Sequence, residues 1–206
     1  NSTFAGGTKS LTITGNAEFD AAVSGLSSLN ISGTTQLDGG VITSTGTQTY
    51  QGAVTQSVDT VLTGSLVTFN STFAGGSKSL AITGNAEFDA AISGLSTLNV
   101  SGTTQLDGDS ITSTGTQTYQ GAVTQSVDNT LTGSLVTFNS TFAGGTKSLT
   151  ITGNAGFDAA VSDLSSLNVS GTTQMDGGSV TSTGTQIYQG AVTQSVDTIL
   201  SSSMVT

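Results

Sequence analysis

Asn1-Ser2-Thr3-Phe4-Ala5-Gly6-Gly7 returns as residues 70–76 and again as residues 139–145. The same interval separates Gly33, Gly102 and Gly171, each of which opens a Gly-Thr-Thr-Gln stretch, and it separates Tyr50, Tyr119 and Tyr188. A period of 69 residues thus runs through the 206-residue chain without insertion or deletion, giving copies 1–69, 70–138 and 139–206. Fixed-period self-similarity marks repeat architectures, in which each unit buries its apolar face only against its neighbours. The last copy is one residue short of a period, so the chain reads as an excerpt of a longer array.

Differences between copies sort the inside from the outside. Val23, Ile92 and Val161 share one position, Ile31, Val100 and Val169 a second, and Leu37, Leu106 and Met175 a third. Each swap keeps an apolar side chain of similar volume, as a packed interior requires. Gly40 becomes Asp109, Val61 becomes Thr130 and Thr12 becomes Ala81, so these positions are expected to face solvent.

Shorter marks recur inside each copy: Phe69-Asn70, Phe88-Asp89, Leu106-Asp107 and Tyr119-Gln120, spaced 19, 18, 13 and 19 residues apart when followed into the next copy. Between them lie alternating runs such as Ser10-Leu-Thr-Ile-Thr14 and Ser28-Leu-Asn-Ile-Ser32, which read as short strands with one buried face. Gly6-Gly7, Gly15-Asn16, Gly39-Gly40 and Gly64-Ser65 supply corners where a left-handed backbone is tolerated. No stretch of ten or more residues carries a helical apolar stripe. A two-sheet sandwich also uses short strands, but it does not return the same residue types to the same place in every turn. The expected fold is an all-β parallel β-helix, a β-solenoid with about four coils per 69-residue repeat, one of them tight. About twelve coils at roughly 4.8 Å each make a rod about 57 Å long.

Composition excludes several function classes. The chain has no Pro, Cys, Trp, His or Arg, only 8% charged residues, and 34% hydrophobic residues, too many for a solvated coil. Thirteen acids against Lys9, Lys78 and Lys147 give a net charge of −10, which suits neither a phosphate backbone nor an anionic membrane surface. Nucleic acid is therefore not an expected partner, nor is membrane insertion. Without Cys there are no disulfides and no thiolate metal sites.

Runs such as Gly39-Gly-Val-Ile-Thr-Ser-Thr-Gly-Thr-Gln-Thr-Tyr-Gln-Gly-Ala-Val54 resemble the strand repeats of filamentous-haemagglutinin-like adhesins, the β-helical passengers of two-partner and autotransporter secretion. The likeness is one of repeat style and covers the whole chain. It implies a right-handed parallel β-helix, export to the extracellular space or bacterial cell surface, and service as a stalk or adhesive surface contacting host or abiotic surfaces.

No catalytic constellation is found. Lys9-Ser10 is the only Ser–Lys neighbour pair of its copy, and adjacent strand residues point to opposite faces. Asp20 and Asp38, with Asp89 and Asp107 and with Asp158 and Asp176, fall at matching points of successive coils, and Asn70 and Gln51 are expected to complete an Asn/Asp/Asp/Gln ladder along one edge. Such side chains bond to corner backbone groups; read as a ligand set they suit calcium, although no calcium repeat motif is present. No other cofactor is implied.

Thr43, Thr45, Thr47 and Thr49 form a Thr-x-Thr row that would suit an ice-binding solenoid, but it is expected in only one coil of four. Asn1, Asn70 and Asn139, and Asn30, Asn99 and Asn168, begin Asn-x-Ser/Thr sequences. The functional expectation is a non-enzymatic structural or adhesive stalk. The alternatives are a self-assembling extracellular fibre, associating through open coil ends or neighbouring repeats, and an ice-binding solenoid.

Overall fold

The computed structural model describes residues 2–206, which form 29 strands in one continuous sheet and no helix. All strand pairings are parallel, with each strand lying over the one about a coil earlier. The chain is a β-solenoid of about eleven coils.

Each coil has three faces. The first coil comprises Phe4–Ala5, Leu11–Ile13 and Ala17–Phe19, and the second lays Val23–Leu26, Leu29–Ile31 and Thr35–Leu37 over them in that order. Four long strands, Thr60–Phe69, Leu80–Phe88, Asn129–Phe138 and Ser148–Phe157, each cover two faces. Thr60–Phe69 bends at Gly64-Ser65, where its register with Leu80–Phe88 shifts.

One inward column runs Phe4, Val23, Ile42, Leu62, Ile82, Val100, Tyr119, Phe138, Phe157, Met175 and Gln194. Its spacing is 18 to 20 residues throughout, so no coil is tight. The short interval from Leu106 to Tyr119 arises because the two sit on different faces; the residue above Leu106 is Gln125, a polar side chain in an otherwise apolar column. Eleven coils spread over three periods give three and two-thirds coils per copy. Each copy is therefore turned by one face relative to the previous one.

The aromatic core displays this rotation. Tyr50, Phe69 and Phe88 stack at 5.1 and 6.0 Å on one face, and their counterparts Tyr119, Phe138 and Phe157 stack at 5.2 and 5.9 Å on another. Phe73 and Phe142 meet Phe69 and Phe138 edge-on. Such pairs add about 0.5–1.5 kcal/mol each beyond the area they bury.

The positions picked out as interior are buried: Val23, Ile92, Val161, Ile31, Val100, Val169, Leu37, Leu106 and Met175 are all at most 2% exposed. Val61, Thr130 and Asp109 lie on the outside, as their free substitution implies.

Candidate functional site: three acidic edges and their grooves

The corner after each Phe/Leu mark places Asp20 beside Asp38 on one edge of the rod and Asp89 beside Asp107 on a second, because Phe19 pairs with Leu37 and Phe88 with Leu106. Asp158 and Asp176 occupy the third edge by the same rule. Gln51 and Asn70 precede Asp89 and Asp107 in their column, since Tyr50, Phe69 and Phe88 are successive rungs. The expected single ladder joining them to Asp20 and Asp38 is not formed. One-third-coil rotation sends each copy of the ladder to its own edge: Gln51, Asn70, Asp89, Asp107, Ser126 on one and Gln120, Asn139, Asp158, Asp176, Ser195 on another. Backbone amides carry these ladders, Asn70 N donating to Tyr50 O at 2.9 Å and Asp107 N to Phe88 O at 2.9 Å.

Glu18 and Glu87 join the acids, which the sequence reading overlooked. Glu18, Asp20 and Asp38 bring carboxylate oxygens within 4.8 Å of one another, and Glu87, Asp89 and Asp107 do the same. Strand alternation was the available signal, because Glu18 and Asp20 flank the inward Phe19. In the third copy Gly156 stands where the glutamate would be, leaving Asp158 and Asp176 as a pair. Oxygen-only groups of this kind suit a hard cation.

Other bonds already engage these acids. Asp107 accepts from Gln105 Nε2 at 2.5 Å and from Ser126 Oγ at 2.6 Å, and Asp38 accepts from Gln36 Nε2 and Ser57 Oγ, both at 2.5 Å. Ser195 and Gln174 do the same for Asp176 and hold its carboxyl below the usual range. Asp89 is pushed up instead, by partial burial first and then by the charges of Glu87 and Asp107.

Side-chain capping of corner backbone falls mostly to residues outside the acidic pairs, the Asn of the Gly-Asn corners among them, although Asp176 also accepts the Ser195 amide at 3.2 Å. Asn16, Asn85 and Asn154 accept from Thr34, Thr103 and Thr172 amides at 3.0, 2.9 and 2.9 Å. Asp59 and Asp128 accept from Ser79 and Ser148 amides at 2.8 Å, bonds that lower both carboxyls.

Beside each acidic edge runs an open groove, again once per copy: one along Asn16–Glu18 and Thr34–Gln36, one along Asn85–Glu87 and Thr103–Gln105, and one along Asn154–Gly156 and Thr172–Gln174. Their volumes are about 390, 280 and 500 Å³. The third has lost the glutamate from its wall.

Lys9, Lys78 and Lys147 sit at Gly-rich corners, their amides bonded to Gly6, Gly75 and Gly144 carbonyls at 3.1, 2.9 and 2.9 Å. Thr43 and Thr47 lie on different strands, Val41–Ser44 and Thr47–Tyr50, so the Thr43–Thr49 row turns a corner instead of running along one face. Although the row itself recurs in only some coils, neighbouring coils align other threonines with it: Thr112, Thr132 and Thr152 stack beside Ser110, Thr130 and Thr150. Asn30 carries its amide oxygen against Gln51 Nε2 at 3.0 Å, while Asn1 lies outside the described residues.

Comparison with protein-family models, curated proteins and solved structures finds no match to the chain. Fold and geometry alone define it as a tandem-repeat β-solenoid.

Proposed function

We propose that this chain is a stalk module of a large secreted or cell-surface bacterial adhesin, built in the right-handed sense of filamentous-haemagglutinin-like passengers and without a catalytic role. The observation that carries this reading is the inward column from Phe4 to Gln194, which passes through every coil unbroken. A rod whose rungs are hydrogen-bonded throughout transmits position: it holds a distal surface away from the cell at a length set by the number of units. Near-identical copies suit a spacer in which length matters more than any one site. The rotation of one face per unit also presents the acidic edges in three directions, so no side of the stalk is privileged.

Adding one 69-residue unit should lengthen the rod by about 18 Å, at roughly 4.8 Å per coil. Electron microscopy and solution scattering of three-, four- and six-unit chains read this directly. Bacteria displaying the array at their surface should gain attachment to cells or plastic; compact particles, or length that does not scale with unit number, would defeat the proposal.

A second reading, an ice-binding solenoid, draws support from the two-by-three array of Ser110, Thr112, Thr130, Thr132, Thr150 and Thr152. Thermal hysteresis at micromolar concentration tests it, and freezing-point behaviour equal to that of an inert protein removes it.

A further inference from the structure

Lysine occurs three times in this chain and arginine not at all, so a protease that cuts after basic residues has only Lys9, Lys78 and Lys147 to attack. Lys78 and Lys147 lie within the array, where the coils before and after them pair with their own. Each stands in a Gly-Gly-Ser-Lys-Ser or Gly-Gly-Thr-Lys-Ser corner, and Gly76, Ser77, Gly145 and Thr146 at the tips are exposed. Small, polar loop tips are where chains are ordinarily nicked.

The peptide bond after each lysine is nevertheless held from both sides. The Lys78 carbonyl oxygen accepts from Ser96 N of the following coil at 2.9 Å. The Ser79 amide donates to Asp59 Oδ1 of the preceding coil at 2.8 Å. In the next copy Lys147 O accepts from Ser165 N at 2.9 Å, and Ser148 N donates to Asp128 Oδ1 at 2.8 Å. A serine protease needs that carbonyl oxygen in its oxyanion hole and must deliver a proton to that nitrogen. Neighbouring coils already engage both.

The residues leading to the bond also have the wrong shape. Peptides that add to a sheet edge, as substrates do in a protease cleft, are extended. Gly76 and Ser77 lie at φ +56° and +62°, and Gly145 and Thr146 at +56° and +65°, which turns the backbone out of line. The buried Gln56 and Gln125 side chains donate to Gly75 O and Gly144 O at 3.2 Å and pin the same corners from inside. Straightening either corner breaks several of these bonds together.

We propose that Asp59 and Asp128 are latches that close the Lys78–Ser79 and Lys147–Ser148 bonds to trypsin-like serine proteases. Cleavage then waits for local opening of the corner, and its rate follows the population of the opened form. A rod guarded in this way keeps its length among such enzymes, although its lysines sit at Gly-rich tips.

Trypsin digestion, read by the masses of fragments ending at Lys78 and Lys147, tests the latch. The Asp59→Ala/Asp128→Ala variant should release these fragments roughly tenfold or more faster than wild type, the worth of one hydrogen bond to a charged group. Its strand circular dichroism should be unchanged. Asp59→Asn/Asp128→Asn keeps an acceptor oxygen and should be cut at close to the wild-type rate. Amide hydrogen exchange needs no variant: Ser79 and Ser148 should exchange far more slowly than in an unfolded peptide of the same sequence. Equal cleavage of the alanine variant and wild type overturns the proposal. So does wild-type cleavage at Lys78 as fast as in that peptide, or an absence of protection at the Ser79 and Ser148 amides. The stalk reading stands or falls separately, on rod length against unit number.

Discussion

The Tyr50 hydroxyl donates a 2.9 Å hydrogen bond to Oε1 of Gln48, two residues earlier on the same strand, and both side chains are fully buried. The Gln48 amide in turn donates to Thr63 O at 2.8 Å and Ile42 O at 3.3 Å, tying the next coil and the preceding strand of its own coil to the tyrosine. Tyr119 with Gln117 and Tyr188 with Gln186 repeat the arrangement at 3.0 Å. Burial pushes the Tyr50 and Tyr119 phenols up, so they stay neutral donors. A polar pair in an apolar core is tolerable because every strong donor has an acceptor.

Tyr119→Phe removes the donor and leaves Gln117 Oε1 buried without a partner. It should destabilise the chain by about 1–3 kcal/mol, the desolvation penalty of an unsatisfied group. Urea unfolding checks this. The same change at Tyr188 should cost less, because that side chain is partly exposed and solvent lies closer to the vacated hydroxyl position, although Gln186 itself is buried.

A second prediction comes from a difference between the copies. Gly25 and Gly94 sit at φ +69° and +66°, and the third copy places Asp163 there at φ +56°. A Cβ in the left-handed region is strained, although Asp bears it better than most residues. Asp163→Gly should therefore stabilise by about 0.5–1 kcal/mol, and Gly94→Asp should destabilise by a similar amount. Paired thermal melts of the two variants should move in opposite directions.

Much of this architecture was legible in the sequence because the interior is written in a simple alphabet. Val23, Ile92 and Val161 vary only within the apolar set, and strand alternation around residues 10–14 and 28–32 names the inward face. The fractional pitch was hidden for a physical reason. Matching like with like finds coils only where apolar residues stack on apolar residues, and Gln125 above Leu106 breaks that rule. The next aromatic mark, Tyr119, lies on another face, and the shorter interval to it mimics a tight coil. Gln48 is hidden in the same way, as its burial depends on the Tyr50 hydroxyl and on carbonyls of a neighbouring strand and of the next coil, which no local pattern reports. The edge acids are legible in the sequence but Glu87 is not, since a lone outward glutamate reads as solvated until the fold sets Asp107 beside it.

Asp59 and Asp128 make acid sensitivity testable. Backbone bonds from Ser79 and Ser148 hold both carboxyls below 3.8. A carboxyl lowered in the folded state contributes stability that is fully present above its unfolded value and is lost as pH falls through the folded value. Denaturation midpoints should accordingly be flat from neutral pH down to about 4 on this account and fall below it. The Asp59→Asn/Asp128→Asn double variant keeps an amide oxygen as acceptor and should lose that part of the acid limb.

Asp89 carries the opposite sign. Its carboxyl is raised, by burial first and by Glu87 and Asp107 second, so the folded chain holds that proton more tightly than the unfolded one does. It therefore opposes folding at neutral pH, and the opposition is relieved as pH falls through the raised value. Glu87→Gln removes one of the two charges at nearly constant shape and should bring the Asp89 titration down toward the ordinary carboxylate range, as followed by carboxyl carbon chemical shifts. The third copy provides the reciprocal experiment. A Cβ at Gly156 would meet Thr137 Cγ2 at 3.4 Å, an ordinary contact, so Gly156→Glu should fold and complete a third triad. Its strand circular dichroism should match that of the parent chain. Loss of the strand signal would mean that this edge cannot hold a third carboxylate.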